Sequence, residues 1–247
     1  GDEVFGGYRR YRLFAAEEGF RRALPLAFRR SFFGTIGGVY PKLDWAPRPL
    51  RFKTTLQALG EDSLSAYARA VSAVLPDRAH AMLAGDFLGA LQGYAPVSLI
   101  AGRAASGLDP VSTAQSIDLD TWLPGRMLTK VDRASMAHGL EVRAPFLDHR
   151  LAEWAFKLPA DFRATPTDGK QLLKAALAGR VDKDILHARK RGFAPPVEGW
   201  LRDPSGPVRR LADSTRWRDS GVLDAGAVGR MVEKHAAGAA NYAQELW

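Results

Sequence analysis

The sequence begins with two adjacent carboxylates, Asp2 and Glu3, which lie between Gly1 and the pair Gly6 and Gly7. Mg²⁺ typically takes one or two protein carboxylates and completes its coordination with phosphate oxygens and water. An acidic residue on a glycine-rich turn therefore suits a magnesium–pyrophosphate complex, and Asp2 is the better candidate ligand. Glu3 is expected to assist it or to cap the following helix. The alternative is an exposed acidic terminus that frays in solution.

Three basic residues, Arg126, Lys130 and Arg133, follow one another at helical spacing. Pro124 is tolerated in a first helical turn and Gly139 is typical of a C-terminal cap, so we predict one helix between them. Residues at i, i+4 and i+7 share one face of such a helix and make a basic stripe. This stripe is either part of an anion-binding pocket or a solvated face that pairs with nearby acids.

The segment LEVRAPFLD, residues 140–148, alternates apolar and charged side chains. Pro145 excludes a helix interior, and the alternation predicts an extended, half-buried strip. Because buried charges must be paired or face a polar cavity, Glu141 and Arg143 are expected to help shape a site. Asp148 precedes apolar residues at helical spacing, so we predict that it caps a helix, with catalysis as the alternative.

Lys170 and Lys174 lie four residues apart at a predicted helix start, just after Gly169. The spacing of a Walker A loop is missing, and Gln171 stands where Ser or Thr would bind Mg²⁺. The segment is therefore not a P-loop. The two lysines are either a phosphate clamp or solvent-exposed side chains.

Three adjacent cations, Arg189, Lys190 and Arg191, precede Gly192 in the segment HARKRGFAPP. Clustered positive charge attracts anions, and a glycine lets the backbone approach a ligand closely. The pattern therefore favours a loop that contacts an anion. The alternative is a solvated basic turn.

Helices must position most of these residues, because apolar spacing follows the helical period and long alternating segments are scarce. We therefore predict a mainly α fold. Residues 8–34 are expected to be helical with a break near Pro25. Residues 38–60 are rich in proline and basic side chains and are predicted to be an irregular connection or insertion. This segment separates two parts of one domain, which comprises residues 1–247.

Composition excludes several classes of protein. The chain has 247 residues, 46% of them hydrophobic, and no cysteine, so disulfides, thiolate–zinc sites and cysteine nucleophiles are excluded. No apolar run approaches the about 18 residues of a membrane helix, and no secretory signal is visible, so the cytoplasm is the expected location. A formal net charge of +8 favours anionic ligands, which include nucleic acid, nucleotide and pyrophosphate.

Four ordered blocks of the sequence resemble the synthetase domain of glutamine-dependent asparagine synthetases. They are GDEVFGGYRRY, LPGRMLTKVDRASMAHGLEVRAPFLDHRL, DGKQLLKAAL and RKRGFAPPVEGWL. The resemblance spans residue 1 to about residue 203, and the segment to Trp247 is similar to the family's C-terminal helices. Proteins that share these blocks include β-lactam synthetases and lasso-peptide cyclases.

The resemblance implies the C-terminal part of an α/β ATP-pyrophosphatase (PP-loop) domain. It also implies that ATP and Mg²⁺ activate aspartate as β-aspartyl-AMP, and that ammonia from glutamine then displaces AMP. The family's SGGxDS pyrophosphate loop and its N-terminal glutaminase domain are not in the sequence. Residues 1–247 alone are therefore expected to have weak or no activity.

The resemblance also implies roles for individual residues. Lys190 corresponds to the lysine that contacts the leaving pyrophosphate, and Asp2 with Glu3 to the metal-binding acidic motif. Glu141 and Arg143 are expected to frame the aspartate pocket. The remaining basic residues are expected at the nucleotide and its phosphates, namely Lys170, Arg126, Lys130, Arg133 and Arg191.

Two other interpretations stay open at this point. One is a related ligase of the β-lactam synthetase or lasso-peptide cyclase type, which acts on another carboxylate. The other belongs to a different class, a basic helical module that binds nucleic acid or a protein. Aspartate, glutamine-derived ammonia and a glutaminase domain are the partners expected of an asparagine synthetase. Nucleic acid and membrane are not expected, and an oligomer stays open.

Overall fold

The fold is given by a computed structural model, which describes residues 1–40, 47, 52–188, 195–206 and 215–247. Within these ranges the regular structure is helical, and β structure is limited to isolated bridges, Leu83–Leu223, Ala164–Gly169 and Ala178–Val181. The predicted mainly α character is therefore confirmed. No helix among the described residues is long and apolar enough to span a bilayer.

The α-helices, in chain order, are α1 (Arg9–Ala23), α2 (Leu26–Arg29), α3 (Thr35–Val39), α4 (Lys53–Gly60), α5 (Ser63–Val71), α6 (Pro76–His80), α7 (Gly85–Ala90), α8 (Val97–Ala101), α9 (Pro110–Asp120), α10 (Thr129–Met136), α11 (His149–Lys157), α12 (Gln171–Leu177), α13 (Lys183–Leu186), α14 (Val197–Arg202), α15 (Thr215–Arg218), α16 (Ala225–Ala236) and α17 (Ala243–Leu246). Two segments are π-helical, Arg30–Gly34 and Leu123–Leu128, and two are short 3₁₀ turns, Pro145–Leu147 and Ala160–Phe162.

The chain divides into two compact units. The first comprises Gly1–Ala70 and Pro96–Ala188, and the second comprises Val71–Ala95 and Arg189–Trp247. The first unit contains the acidic turn, the predicted basic stripe and Lys170. That residues 1–247 form one domain stays a prediction.

Local sequence signals set several helix ends. Leu24 is extended because it precedes Pro25, and this ends α1 after Ala23, as the predicted break requires. The Asp109 side chain accepts a hydrogen bond from the Ser112 N–H and caps α9. Asp148 accepts from the Arg150 N–H at 2.9 Å and caps α11. The predicted capping role of Asp148 is therefore confirmed.

Helices α1 and α9 pack against each other in the first unit. Tyr11 and Phe14 of α1 are buried, as are Ala114 and Ile117 of α9. The Phe14 ring meets the Tyr67 ring of α5 edge to face, with centroids 5.1 Å apart. This aromatic packing fixes α1 and hence the turn that precedes it.

The first residues of the chain belong to a second part of this core. Val4 and Phe5 are buried together with Ala155 of α11. Aliphatic side chains pack against the three residues, namely Leu119, Leu147, Leu151, Ala152, Leu172 and Leu173. Burying one such Val or Phe side chain stabilises the fold by about 1.5–3 kcal/mol. The turn that carries the acidic pair is therefore anchored, and the alternative of a frayed terminus is wrong.

The second unit has its own small core. Val197 and Leu201 of α14 pack with Ala243 of α17. His235 of α16 is buried, and its Nδ1 accepts a hydrogen bond from the Tyr242 N–H at 3.1 Å. The ring proton therefore lies on Nε2, which is 3.3 Å from a backbone carbonyl oxygen of α14.

One predicted connection is partly helical in the structure. Residues 53–60, predicted as part of an irregular connection, form helix α4, which packs on α3 and on the π-helical segment Arg30–Gly34. Proline and basic residues dominate only the earlier part of that connection, and residues 41–46 and 48–51 lie outside the described residues. Tertiary packing against α3 and the π-helical segment therefore stabilises the helical state of α4.

Candidate active site

The acidic residues lie on a tightly closed turn. The Phe5 N–H donates to the Gly1 carbonyl at 2.9 Å, and the Gly7 N–H donates to the Asp2 carbonyl at 2.8 Å. Gly6 has a φ of +67°, and a Cβ on it would lie 2.9 Å from the Ala164 Cβ. Glycine is therefore required at this position by both conformation and space.

Asp2 and Lys170 meet across this turn. The Lys170 ammonium lies 2.6 Å from the Asp2 carboxylate, and the Lys170 N–H donates to the Phe5 carbonyl at 3.0 Å. Lys170 has a φ of +59°, a left-handed conformation that is uncommon for a residue with a side chain. Such strain often accompanies functional sites. The structure thus brings together the predicted metal ligand and one of the predicted phosphate-binding lysines.

Gly169 and Gly7 make this approach feasible. A Cβ on Gly169 would overlap the Gly6 carbonyl oxygen, and a Cβ on Gly7 would overlap the carboxylate of Asp2 and the side chain of Lys170. Bare backbone at both positions therefore lets the two charged side chains come into contact.

Glu3 points into the protein and is 3% exposed. The Tyr8 hydroxyl donates to its carboxylate at 2.7 Å, and the Trp122 indole N–H donates to the Tyr8 hydroxyl at 3.4 Å. Burial, with the neighbouring Glu3 carboxylate, raises the pKa of Tyr8. These contacts favour the assisting role for Glu3, because its carboxylate holds the turn from inside.

The side chains around the turn suit magnesium when it is bound together with a phosphate. Asp2 supplies a partly exposed carboxylate, and Mg²⁺ needs only one or two such ligands when phosphate oxygens complete its shell. The described residues contain no group of three or more His, Cys, Asp or Glu side chains that could hold a metal without a phosphate. Asp2 is therefore the residue that suits a magnesium–phosphate complex.

Lys174 has a different partner from Lys170. It forms an ion pair with Asp168, and the hydrogen bond from Lys174 lowers the pKa of that carboxyl. Both residues line a cavity of about 300 Å³, together with Lys183 and His187. Lys190 and Arg191, the predicted anion-binding cations, lie outside the described residues.

The predicted basic helix begins with a π-helical segment in the structure. Leu123–Leu128 is π-helical, and α-helical geometry begins only at Thr129. The Thr129 hydroxyl donates to the Pro124 carbonyl at 2.8 Å, so this carbonyl of the wider π-helical turn accepts a side-chain hydrogen bond. The predicted helix between Pro124 and Gly139 is therefore present, and Gly139 has the left-handed φ of +65° expected of its C-terminal cap. Because its first part is π-helical, α-helical spacing relates only Lys130 and Arg133.

Of the three basic residues in the predicted stripe, Arg126 is the one that the described contacts connect to the acidic turn. Its guanidinium lies 4.8 Å from the centroid of the Trp122 ring, and Trp122 hydrogen-bonds to Tyr8. Lys130 and Arg133 are exposed on α10. A nucleotide or phosphate role for the three residues stays a prediction.

Residues 140–146 do not form the predicted half-buried strip. Leu140, Val142 and Phe146 are all exposed. Glu141 and Arg143 are also exposed and form an ion pair with each other. Alternation buries one face only where another element covers it, and the described residues supply no such cover here. A substrate-binding role for Glu141 and Arg143 stays a prediction.

Two buried polar groups near the turn were not predicted from the sequence. In the first, the carboxylate of Asp118 on α9 accepts hydrogen bonds from Arg10 and from the Tyr11 hydroxyl at 2.6 Å. Burial, together with the charge of Asp118, raises the pKa of Tyr11. The Arg10 guanidinium also stacks on Tyr8, 3.9 Å from the ring centroid. The Tyr-Arg-Arg-Tyr string was the only sequence signal of this group.

The second group contains Gln115 of α9 and Arg163, which are both fully buried. The Arg163 guanidinium donates to the Gln115 amide oxygen at 2.8 Å and to the Ser112 hydroxyl at 2.7 Å. Burial lowers the pKa of Arg163, although the charge of Asp109 opposes this shift. Single residues of these types carry no periodic signal, so sequence reasoning had no means to find them.

Substituting Gly7 tests how tightly the turn is packed. Gly7→Ala is expected to separate Asp2 from Lys170 and to lower the free energy of unfolding by about 1–2 kcal/mol. Urea denaturation of the 247-residue chain, followed by circular dichroism, measures this change. Gly19→Ala within α1 is the matched control, because its added Cβ meets no described atom within 4 Å. It should raise the stability by about 0.4–1 kcal/mol, and a similar gain for Gly7→Ala would contradict the packing argument.

Comparison with known proteins places this chain in a family. The family model described as "Asparagine synthase" matches residues 1–247. A putative asparagine synthetase [glutamine-hydrolyzing] from Mycobacterium tuberculosis (strain ATCC 25618 / H37Rv) is 34% identical over 254 residues, which cover 100% of this chain and 36% of that protein. Asparagine synthetase [glutamine-hydrolyzing] 1 from Bacillus subtilis (strain 168) is 29% identical over 58% of this chain and 22% of its own length.

Shorter matches reach animal proteins. Asparagine synthetase [glutamine-hydrolyzing] from Bos taurus is 37% identical over 81 residues, which cover 30% of this chain and 14% of that protein. No solved structure matches the chain significantly. The chain spans about a third of the length of the curated relatives that match it throughout. Because the family model covers every residue from Gly1 to Trp247, the chain belongs to the asparagine synthase family, a family of ligases.

Proposed function

We propose that this chain is part of an ATP-dependent ligase that converts aspartate to asparagine through β-aspartyl-AMP, with ammonia derived from glutamine. The relatives that match it are named asparagine synthetase [glutamine-hydrolyzing]. The observation that carries the proposal is the contact between Asp2 and Lys170 on a constrained glycine turn. A magnesium-bound phosphate needs both a carboxylate and a cation, so this contact supports the proposal.

In this proposal Asp2 holds Mg²⁺, which supplies charge neutralisation for the phosphates of ATP when it is bound. Lys170 would turn its ammonium from Asp2 to a phosphate oxygen of the nucleotide. Its side chain is about 43% exposed, which leaves room for that movement. Glu3 and Tyr8 keep the turn in place from the buried side.

Lys190 is assigned to the leaving pyrophosphate. Negative charge grows on that group as the aspartate carboxylate attacks the α-phosphorus and the bond to the pyrophosphate oxygen breaks. A cation held beside the leaving group lowers this barrier. The aspartate pocket is assigned to Glu141 and Arg143, whose exposed position leaves both side chains accessible to a substrate. We further assign the chain to a PP-loop type α/β domain whose strands lie in another part of the protein.

The test is aspartate-dependent exchange of labelled pyrophosphate into ATP, measured on the complete gene product. Exchange is expected with aspartate and Mg²⁺, and asparagine should form when glutamine or ammonia is added. Glutamate and β-amino-acid substrates serve as matched carboxylates. Exchange with one of these in place of aspartate would favour a related ligase.

If the chain were instead a basic module that binds nucleic acid, the same preparation should bind nucleic acid and catalyse no exchange. Salt-sensitive binding to DNA or RNA, measured at two salt concentrations, without any exchange would contradict the proposed ligase.

A further inference from the structure

A chain of buried hydrogen bonds supports the backbone of the acidic turn. One amide group, Nε2 of Gln115, donates to the Glu3 carbonyl at 2.6 Å and to the Val4 carbonyl at 3.1 Å. These two carbonyls belong to the residues that directly follow Asp2. A single side chain of α9 therefore satisfies both inward-pointing acceptors of the turn.

Arg163 fixes the orientation of that amide. Its guanidinium donates to the Gln115 amide oxygen, so the amide nitrogen must face the turn. The Ser112 hydroxyl accepts a second hydrogen bond from Arg163 and itself donates to the Asp109 carboxylate. Each member of the series thus has a defined donor and acceptor direction.

The backbone of Arg163 touches the same turn from another side. A Cβ on Gly6 would lie 3.1 Å from the Arg163 carbonyl oxygen, and this oxygen accepts from the Gln171 N–H at 3.3 Å, at the start of α12. Arg163 therefore links α9, the turn and the helix that begins beside Lys170.

Burying this series of hydrogen-bonded polar side chains costs folding free energy, which is unexpected for an element with only a structural role. Arg163 is 1% exposed, its direct hydrogen-bond partners are uncharged, and burial lowers its pKa. Apolar residues of similar volume often fill such a space at no loss of stability. What an apolar core does not supply is a directed hydrogen bond to each carbonyl next to Asp2.

We propose that Gln115 and Arg163 are positioning residues that hold the Asp2 carboxylate in the geometry required for a magnesium–phosphate complex. The inference rests on the proposed function of Asp2. Both side chains are buried. Both act through the backbone of residues 3–4, which sets the direction of the Asp2 side chain.

The test combines a structural readout with activity. In Gln115→Met, which keeps the volume and removes the amide, the N–H groups of Phe5 and Gly7 should exchange with solvent at least tenfold faster relative to the amides of α9. Tyr67→Phe is the matched control. It also removes one buried hydrogen bond to α9, at the Ala114 carbonyl, and has no hydrogen bond to the turn. It should leave the ratio of turn to α9 exchange unchanged.

Activity of the complete gene product supplies the second readout. Gln115→Met should lower kcat for aspartate-dependent exchange about tenfold with little change in the KM for aspartate. The same substitution made in an Asp2→Asn protein should change kcat less than twofold, because no carboxylate is left to position. If Gln115→Met fails to fold, Gln115→Asn applies the same test, since its amide is one methylene too short to reach both carbonyls.

The outcomes distinguish the positioning role of Gln115 and Arg163 from the proposed metal-binding role of Asp2. Unchanged protection of Phe5 and Gly7, or an equal loss of kcat in the Asp2→Asn background, would overturn the positioning role. Full activity of Asp2→Asn alone would instead overturn the proposed role of Asp2, and with it the reason for positioning.

Discussion

Lys190→Ala is expected to slow aspartate-dependent ATP–pyrophosphate exchange by the complete gene product about 100-fold or more. The reason is electrostatic. Charge develops on the leaving pyrophosphate in the transition state, and a preorganised cation in a site shielded from water contributes about 3 kcal/mol to lowering that barrier. Lys190→Arg keeps the charge in a different shape and should retain part of the activity.

Lys157→Ala is the control for this substitution. Lys157 is an exposed lysine in the last turn of α11, and its removal should leave exchange unchanged. Wild-type exchange in Lys190→Ala would remove Lys190 from the proposed mechanism. A comparable loss in both variants would point to a general effect of net charge.

Asp118→Ala is expected to lower the free energy of unfolding of the 247-residue chain by about 3 kcal/mol or more. Asp118 is fully buried, and it is the acceptor for both the Arg10 guanidinium and the Tyr11 hydroxyl. Its removal leaves a partly buried cation and a buried hydroxyl without that acceptor. Urea denaturation followed by circular dichroism measures the loss.

Two further variants identify the source of this loss. Asp120→Ala lies on the same helix at an exposed position and should change stability by less than about 0.5 kcal/mol. The double variant Arg10→Met, Asp118→Leu removes both charges and should be more stable than Asp118→Ala alone. If the double variant were the less stable of the two, the uncompensated Arg10 charge would not be the cause.

Local signals predicted the features that depend on neighbouring residues. The break before Pro25 and the cap at Asp148 both follow from backbone geometry within a few residues, and both are confirmed. The acidic pair and Lys170 were identified as candidates by residue type and by family resemblance. Their contact joins residues 168 positions apart, which no local pattern encodes.

Two predictions were wrong because neither periodicity nor composition shows which partner packs against a segment. Periodicity reports what a segment would bury if a partner covered it, and it does not say whether that partner is present. Residues 140–146 alternate as a half-buried strip would, yet they are exposed in the described part of the chain. Helix α4 follows a segment dense in proline, yet packing on α3 makes it helical.

The amino-acid sequence by itself determined the mainly helical character, the membership of a ligase family and the chemical types of the candidate site residues. These depend on composition, on spacing along the chain and on ordered motifs. Only the tertiary structure decided that Asp2 meets Lys170, that Glu3 turns inward, and that buried polar groups of α9 hold the turn. Such contacts depend on distances between residues remote in sequence, and these distances are set by the packing of whole helices.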